Sequence, residues 1–294
     1  MIATPLDPGA SAAVDAVVGG SSAGAVIEAD NLAALAAIPD GVVDLAYADP
    51  PFATGKQQRL VSIRTGSGDR TRPGFRGKDV SYEAVSDLAF ADDLPLDLHL
   101  AMLTTRIREI HRVLAPHGSL YLHVDWRTVH HVRLLLDDVF GPERFLNEII
   151  WAYDYGGRAA DRWPRKHDTI LWYAKGDHWL FDRGAIDRIP YMAPGLVGPE
   201  KAARGKLPTD VWWMTIVPPA SAERTGYPTQ KPVRLLERIV AASSRPGDLV
   251  LDPFAGSGTT GVAAARLGRR WLLVDRNPVA VEIARRRLAG EARS

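Results

Sequence analysis

Residues 248–275 read DLVLDPFAGSGTTGVAAARLGRRWLLVD, and this stretch decides the fold. An apolar strand ending at Leu251 is followed by a glycine-rich turn, a helix, a second strand over 270–274 and the acidic Asp275. In a doubly wound sheet such a turn lets the backbone approach a ligand closely, and an acid at the end of the next strand binds ribose hydroxyls. Asp275 lies seventeen positions after Gly258, close to the usual spacing of about 20. The stretch therefore predicts an α/β fold and an adenosine-containing ligand, either a dinucleotide or another adenosine compound.

The rest of the chain continues this alternation of strands and helices. Apolar runs predict strands over 25–29, 42–48, 118–124, 146–152 and 169–174, and helical spacing predicts helices over 32–38, 96–114, 127–139, 233–243 and 278–288. Residues 1–24 are rich in Ala, Gly and Ser and predict a loose segment, while 155–228 carry many Pro, Gly, Trp and Arg residues without a clear period. We therefore expect a doubly wound α/β domain built from 25–154 and 229–294, with 155–228 as an inserted module.

Composition narrows the classes of protein further. The 294 residues suffice for about two domains, or for one large domain with an insertion. Hydrophobic residues make up 46% and charged residues 24%, which is typical of a soluble globular chain. No apolar run approaches about 18 residues and no cationic segment precedes a hydrophobic one at the N-terminus, so we expect a cytoplasmic protein without a membrane span. The absence of cysteine excludes disulfides, thiolate zinc sites and sulfur nucleophiles.

A second motif, Asp49-Pro50-Pro51-Phe52, directly follows the apolar run over 42–48. Its two prolines fix two φ angles and lack amide donors, so the backbone there is rigid and offers only acceptors. The Asp49 carboxylate and the Pro50 carbonyl can accept hydrogen bonds from an exocyclic NH₂ group, and Phe52 offers a ring on which a base can stack. An isolated Asp-Pro-Pro is more often a plain strand end and turn, but the aromatic neighbour and the glycine-rich turn downstream favour a binding site.

Positive charge is concentrated locally in this sequence. The net charge is only +1, yet residues 53–80 hold seven basic and two acidic residues together with five glycines. This composition predicts a mobile basic loop, which either contacts phosphates or is simply solvated. In 155–228 the tryptophans predict a small core of the inserted module; they are Trp163, Trp172, Trp179, Trp212 and Trp213. His123, Asp125 and Trp126 end a predicted strand, where they form either a pocket wall or ordinary structural contacts.

Taken together, these motifs resemble those of the amino-group DNA methyltransferases that use S-adenosylmethionine, in the β-type subgroup whose catalytic motif precedes the cofactor motif. The resemblance covers 25–288 and rests on three ordered motifs, which are Asp49-Pro50-Pro51-Phe52, the PTQKP run at 228–232 and the DPFAGSGT run at 252–259. One departure is Tyr227, where the family usually has His. The resemblance implies a circularly permuted Rossmann-like sheet, in which the strand over 25–29 lies beside the strand that ends at Asp275.

The resemblance also implies a role for individual residues and no metal. The catalytic residues it implies are Asp49, Pro50, Pro51 and Phe52. The S-adenosylmethionine-binding residues it implies are Asp30, Lys231, Asp252, Phe254, Gly256, Ser257, Gly258, Thr259 and Asp275. For Asp30, capping of the following helix is an equally good interpretation, and one carboxylate can serve both purposes.

The implied reaction is direct methyl transfer to the exocyclic amine of a base flipped out of double-stranded DNA. Hydrogen bonds to Asp49 and the Pro50 carbonyl would favour a pyramidal nitrogen with a localised lone pair. Methylation at cytosine carbon 5 is excluded because the related family needs a cysteine for it. In the family, Asp at the first motif position favours adenine N6 over cytosine N4. One alternative is a catalytically silent DNA-binding regulator, against which the intact Asp49 and glycine-rich turn count. Another is an enzyme acting on RNA or on a protein glutamine, against which Asp49 and the insert over 155–228 count.

The basic residues are the predicted DNA contacts, and the insert over 155–228 is the predicted target-recognition module. The candidates for DNA binding are Lys56, Arg59, Arg64, Arg70, Arg72, Arg76, Arg158, Arg162, Arg165 and Lys166. The resemblance further suggests a homodimer and a cognate restriction enzyme as partners.

Overall fold

A mixed eight-stranded sheet with helices on both faces forms the centre of the protein in the computed structural model. The structure describes residues 4–52, 56–73, 79–92, 94–154, 159–218 and 220–291, and for 56–73 and 79–92 only the course of the backbone. The strands are β1 (Gly24–Glu28), β2 (Val43–Ala48), β3 (Lys56–Pro73), β4 (Asp79–Asp92), β5 (Leu114–Val124), β6 (Phe145–Ala152), β7 (His167–Ala174), β8 (Val211–Trp213), β9 (Leu249–Asp252) and β10 (Arg270–Asp275). The helices are α1 (Pro8–Val18), α2 (Asn31–Ala37), α3 (Leu96–Val113), α4 (Val129–Phe140), α5 (Pro199–Arg204), α6 (Val233–Ser243), α7 (Thr259–Arg266) and α8 (Pro278–Glu291).

The order of strands across the sheet is β1-β10-β9-β2-β5-β7-β6-β8. The first five strands are parallel, β7 is antiparallel to both of its neighbours, and β8 is parallel to β6. The predicted neighbourhood of β1 and β10 is confirmed, with Glu28 opposite Asp275. Because the carboxyl ends of parallel strands meet at one edge, the residues at or just beyond the ends of β1, β10, β9 and β2 share one rim.

Two apolar layers hold the helices against the sheet. Helices α1 to α4 bury their apolar sides on one face, and α6 and α7 bury theirs on the other. None of the helices in the described part of the chain is both long and apolar enough to cross a membrane.

The N-terminal segment is ordered, so the prediction of a loose segment over 1–24 was wrong for most of its length. Asp7 accepts hydrogen bonds from the amides of residues 9 and 10 and caps α1, which begins with Pro8. Val14 and Val17 are fully buried against the core. These valines lie three positions apart and so share one face of the helix. The many Ala, Gly and Ser residues around them concealed this helical spacing in the sequence.

The basic segment is also more regular than expected. Instead of a loop, β3 and β4 form a two-stranded antiparallel sheet. Val61, Ile63 and Thr65 alternate with polar residues, which is the period of a strand, and the glycines obscured that signal. Arg76 lies outside the described residues.

The predicted insert over 155–228 overlaps the central sheet. Strand β7 lies inside that range, yet it pairs with both β5 and β6, and β8 adds the last strand at the edge. Its tryptophans do not form one small core, because Trp163, Trp179 and Trp213 are exposed. Trp172 is buried and stacks on Tyr121 of β5, so it belongs to the core of the main sheet.

Candidate functional site

A pocket opens at the rim where β1, β10, β9 and β2 end. All three sequence motifs reach it, although they are up to about 200 residues apart in the chain. The predicted site residues that line it are Asp30, Asp49, Pro50, Pro51, Phe52, Lys231, Asp252, Phe254, Gly256, Ser257, Thr259 and Asp275. Gly258 is the one predicted catalytic or cofactor-binding residue that does not line it, since it lies beneath the turn at the start of α7.

The glycine-rich turn is built around two left-handed backbone positions. Gly256 has a φ of +50° and Gly258 a φ of +77°, values that favour glycine. A Cβ on Gly258 would lie 2.7 Å from the Cβ of Ala284, so this residue also allows α8 to pack closely. At the end of β10, Asp275 accepts hydrogen bonds of 2.8 Å from the amides of Gly256 and Asn277. This places a carboxylate beside the turn, as the sequence predicts.

Asp252 stabilises the same turn from inside the protein. It is 2% exposed; Oδ1 accepts from the Phe254 amide at 3.0 Å and Oδ2 accepts from the Thr260 hydroxyl at 2.5 Å. Burial raises the pKa of Asp252 to about 7, because the hydrogen bonds only partly offset the loss of solvation and the charges of Asp49 and Asp275 add to it. Burial likewise raises the pKa of Asp275, against the hydrogen bonds from the backbone amides. The rim therefore gathers several carboxylates in a poorly solvated place.

Asp30 combines the two interpretations that the sequence leaves open. Its Oδ1 accepts from the Leu32 amide at 2.9 Å, which confirms the cap of α2, and the residue also lines the pocket. Arg106 of α3 forms an ion pair of 3.2 Å with Asp30 and donates to Asn31 Oδ1 at 2.6 Å. Asn31 in turn donates to the Pro253 carbonyl at 2.8 Å, so this group links α2, α3 and the turn.

Lys231 contacts Asp49, although the sequence motif assigns it to the cofactor. Its ammonium donates to Asp49 Oδ2 in an ion pair with the lysine side chain only 9% exposed. The same nitrogen lies 5.3 Å from the centre of the Phe52 ring. Asp49 Oδ1 is buried and has no hydrogen-bond partner among the described residues. One oxygen of this carboxylate is therefore held by Lys231, and the other has no donor in the described part of the chain.

A buried hydrogen-bonded chain lies behind Phe52. His123 is fully buried, and its Nδ1 and Nε2 lie 2.8 Å from the Tyr47 hydroxyl and 3.3 Å from Asp168 Oδ2. The Tyr153 hydroxyl donates to Asp168 Oδ1 at 3.2 Å. Burial alone would raise the pKa of Asp168, but the hydrogen bond and charge of His123, together with the charge of Lys231 and the hydrogen bond from Tyr153, outweigh it, so the pKa is lowered. His123 thus has a structural role; its ring centre lies 6.0 Å from that of Phe52.

Sequence reasoning missed several residues of the site. Tyr47 lines the pocket two positions before Asp49, and the two-residue period of a strand would have placed it on the same side. Gln230 also lines it, and its side chain closes the loop by bonding Thr225 and the Glu223 carbonyl. Arg287 of α8 donates to the Ser257 carbonyl at 2.8 Å, a contact between distant segments that no local pattern indicates.

The ring of Tyr227, at the position where the sequence departs from the motif, lies against the turn. A Cβ on Gly256 would approach its ring to 3.2 Å. Thr229, in the same loop, has a φ of +58°, which is strained for a β-branched residue.

The predicted DNA contacts are only partly brought to this rim. In the described residues, Arg162 and Arg165 are exposed and Lys166 is half-buried, while Arg158 lies outside them. The Arg165 guanidinium stacks on the Trp126 ring at 3.5 Å, next to the end of β5. Lys56, Arg59, Arg64, Arg70 and Arg72 lie on β3.

A protein family and an individual relative both match most of this chain. Residues 43–286 match the N6/N4 family described as DNA methylase. The DNA adenine methyltransferase YhdJ of Escherichia coli K12 is 31% identical over 283 residues, which cover 92% of this chain and 84% of that protein.

Solved structures share the fold. A Thermus thermophilus protein solved with S-adenosyl-L-methionine is 25% identical with a TM-score of 0.55, and the match covers 91% of this chain and 95% of that one. The cytosine-N4-specific PvuII DNA methyltransferase has a TM-score of 0.63 at 17% identity, covering 90% and 86% of the two chains. At that identity the likeness concerns the fold alone.

Proposed function

The chain belongs to the N6/N4 family of DNA methylases, which use S-adenosylmethionine, and on that premise we propose that it methylates the N6 amine of adenine in double-stranded DNA. The observation that carries the proposal is Asp49, a pocket carboxylate with one oxygen that has no hydrogen-bond partner in the described part of the chain. An exocyclic amine is the donor that such an acceptor fits.

Two observations support adenine over cytosine. The relative that is 31% identical over most of both chains is named a DNA adenine methyltransferase. The acid Asp49 at the first position of its motif agrees with the preference for adenine that the resemblance implies.

Each residue of the catalytic motif has its own role in the proposed reaction. The Asp49 carboxylate and the Pro50 carbonyl accept hydrogen bonds from the two N–H groups of the amine, which localises the nitrogen lone pair for attack. Phe52 stacks on the extruded base and offsets part of the cost of unstacking, by about 1–3 kcal/mol. Attack forms the N–C bond and leaves the nitrogen positively charged. The nitrogen then passes one proton to the Asp49 carboxylate, which releases it to water, and the product is a neutral methylated amine.

The rim also fits the methyl donor. Asp275 keeps lone pairs free beside the turn, which suits ribose hydroxyls, and the turn presents backbone without a Cβ at Gly256. Asp30 lies at the end of the neighbouring strand and suits a donor group of adenine. S-adenosylmethionine supplies a methyl group on a sulfonium, which takes the electrons of the broken C–S bond and leaves as a neutral thioether.

Basic residues near the rim would hold the DNA. The strands β3 and β4 directly follow the catalytic motif, and Arg165 on Trp126 lies at the end of β5 beside it. We infer that these groups bind phosphates around the extruded base and that parts of 155–228 contact the target sequence. A homodimer and a cognate restriction enzyme stay predictions from the resemblance.

One experiment tests the proposal. Purified protein is incubated with isotope-labelled S-adenosylmethionine and unmethylated genomic DNA, and the DNA is digested to nucleosides for mass spectrometry. Labelled N6-methyladenine is the expected product, and Asp49→Ala serves as the inactive control. Labelled N4-methylcytosine would contradict the choice of base but keep the mechanism. The absence of any methylated nucleoside, with the methyl donor still bound, would contradict the proposed activity.

A further inference from the structure

The ion pair between Lys231 and Asp49 points to a function for this lysine beyond the one its motif suggests. We propose that Lys231 is a positioning residue for methyl transfer: it holds Asp49 Oδ2 and so turns Oδ1 toward the amine of the target base. This inference rests on the proposed function, and it holds for either amine because adenine N6 and cytosine N4 present the same donors.

The two oxygens of Asp49 have different surroundings. Lys231 donates to Oδ2, whereas Oδ1 is buried without a hydrogen-bond partner among the described residues. A buried carboxylate oxygen without a donor is energetically unfavourable. Because Asp49 belongs to the pocket, we infer that a bound ligand supplies the missing donor. With Oδ2 occupied, the amine of the base has a single oxygen to bind, which fixes the direction of its lone pair.

Lys231 is well placed to hold a fixed position. Its side chain is 9% exposed, so few alternative rotamers are open to it. Its carbonyl accepts from the Thr259 hydroxyl at 3.2 Å, and α6 begins two residues later at Val233. The position of the ammonium is therefore tied both to the glycine-rich turn and to a buried helix.

Lys231 is a positive charge among several carboxylates. Asp49 shares the rim with Asp252 and Asp275, and Lys231 also acts on Asp168 through its charge. An ammonium among these carboxylates reduces their mutual repulsion, so Asp49 does not need to rotate away from them. The 5.3 Å distance to the Phe52 ring places the same cation beside the stacking surface for the base.

The test compares Lys231→Met, which keeps the stem and removes the charge, with Lys231→Arg, which keeps a cation. For each protein, kcat and KM on unmethylated genomic DNA are measured at saturating S-adenosylmethionine, and the Kd for S-adenosylmethionine is measured by calorimetry. We expect Lys231→Met to lower kcat by roughly 10- to 100-fold, with the Kd within about twofold of wild type. Lys231→Arg should recover part of kcat, because a guanidinium can still donate to Oδ2.

A matched control is Arg238→Met. Arg238 is also a buried cation paired with a carboxylate, at 2.8 Å from Asp187, but it lies outside the pocket. Its loss should leave kcat and KM unchanged, which separates positioning of Asp49 from the general effect of removing a buried charge.

Two results would overturn the inference. If Lys231→Met raises the Kd for S-adenosylmethionine at least tenfold, the lysine binds the methyl donor, as its motif suggests. If Lys231→Met instead lowers KM for DNA without lowering kcat, the ammonium only occupies the place of the target amine until the base enters. The Kd is measured without DNA. A tenfold increase in the Lys231→Met protein would therefore overturn the positioning role even if the wild-type protein methylated no DNA and the proposed function failed.

Discussion

Asp252→Asn should remove a pH-dependent loss of stability. Burial, aided by the charges of Asp49 and Asp275, raises the pKa of Asp252 to about 7 in the folded protein, whereas an unfolded aspartate titrates near about 3.9. Between these two values the unfolded chain has released a proton that the folded protein still holds. The free energy of unfolding therefore falls as the pH rises through this window, by about 1.4 kcal/mol per pH unit, and becomes flat above about pH 7.

The asparagine variant keeps the geometry and loses the charge. Its carbonyl oxygen can accept from the Phe254 amide, and its NH₂ group can donate to the Thr260 hydroxyl, which accepts as well as it donates. Between pH 5 and pH 8, the free energy of unfolding of the wild type should fall by about 3 kcal/mol relative to that of Asp252→Asn.

The assay is urea unfolding of both proteins at pH 5, 6, 7 and 8. Asp187→Asn is the control: hydrogen bonds from Arg238 lower the pKa of Asp187, so this acid stays ionised throughout the range and its removal should give a constant difference. Parallel stability profiles of wild type and Asp252→Asn would refute the reasoning.

Further predictions concern the turn, the site and the DNA. Asp49→Ala should abolish methyl transfer while calorimetry shows an unchanged Kd for S-adenosylmethionine, because the lost carboxylate is proposed to bind the amine and Lys231 rather than the methyl donor; full activity would contradict the proposed role. Asp275→Ala should raise that Kd at least tenfold, and an unchanged value would show that the acid does not bind the methyl donor. Gly258→Ala should lower the free energy of unfolding by about 2–4 kcal/mol, since the residue needs a positive φ and its methyl group would meet Ala284; a chemical unfolding curve equal to that of wild type would contradict this. Arg165→Gln should weaken DNA binding and reduce the slope of log K against log salt by about 1, which a fluorescence titration at several salt concentrations can measure.

The local sequence patterns were sufficient to predict most strands of the sheet and the edge at which the candidate site lies. Helix α6 has the predicted bounds, and β1 pairs with β10 as predicted. The acids at the ends of β9 and β10 and just after the end of β2 meet at one rim because parallel strands end on the same side. This result needs only the order of strands and helices and the position of each acid relative to its strand.

Segments whose local signal was weak were misjudged. The valines of α1 were hidden among small residues, and glycines concealed the strand period of β3. The place of β7 between β5 and β6 depends on pairing between segments that are distant in the chain. A short window of neighbouring residues cannot show which strands will pair.

The sequence by itself determined the class of fold and the rim where the motifs meet, and it predicted Asp49 as an acceptor, since each of these follows from local period and residue type. Only the tertiary structure decided that Lys231 pairs with Asp49, that Asp252 is buried with both oxygens occupied, and that His123 joins Tyr47 and Asp168 behind Phe52. The physical reason is that burial, charge and hydrogen bonding depend on the atoms around a side chain. Here those atoms come from strands and loops as much as 182 positions away in the chain.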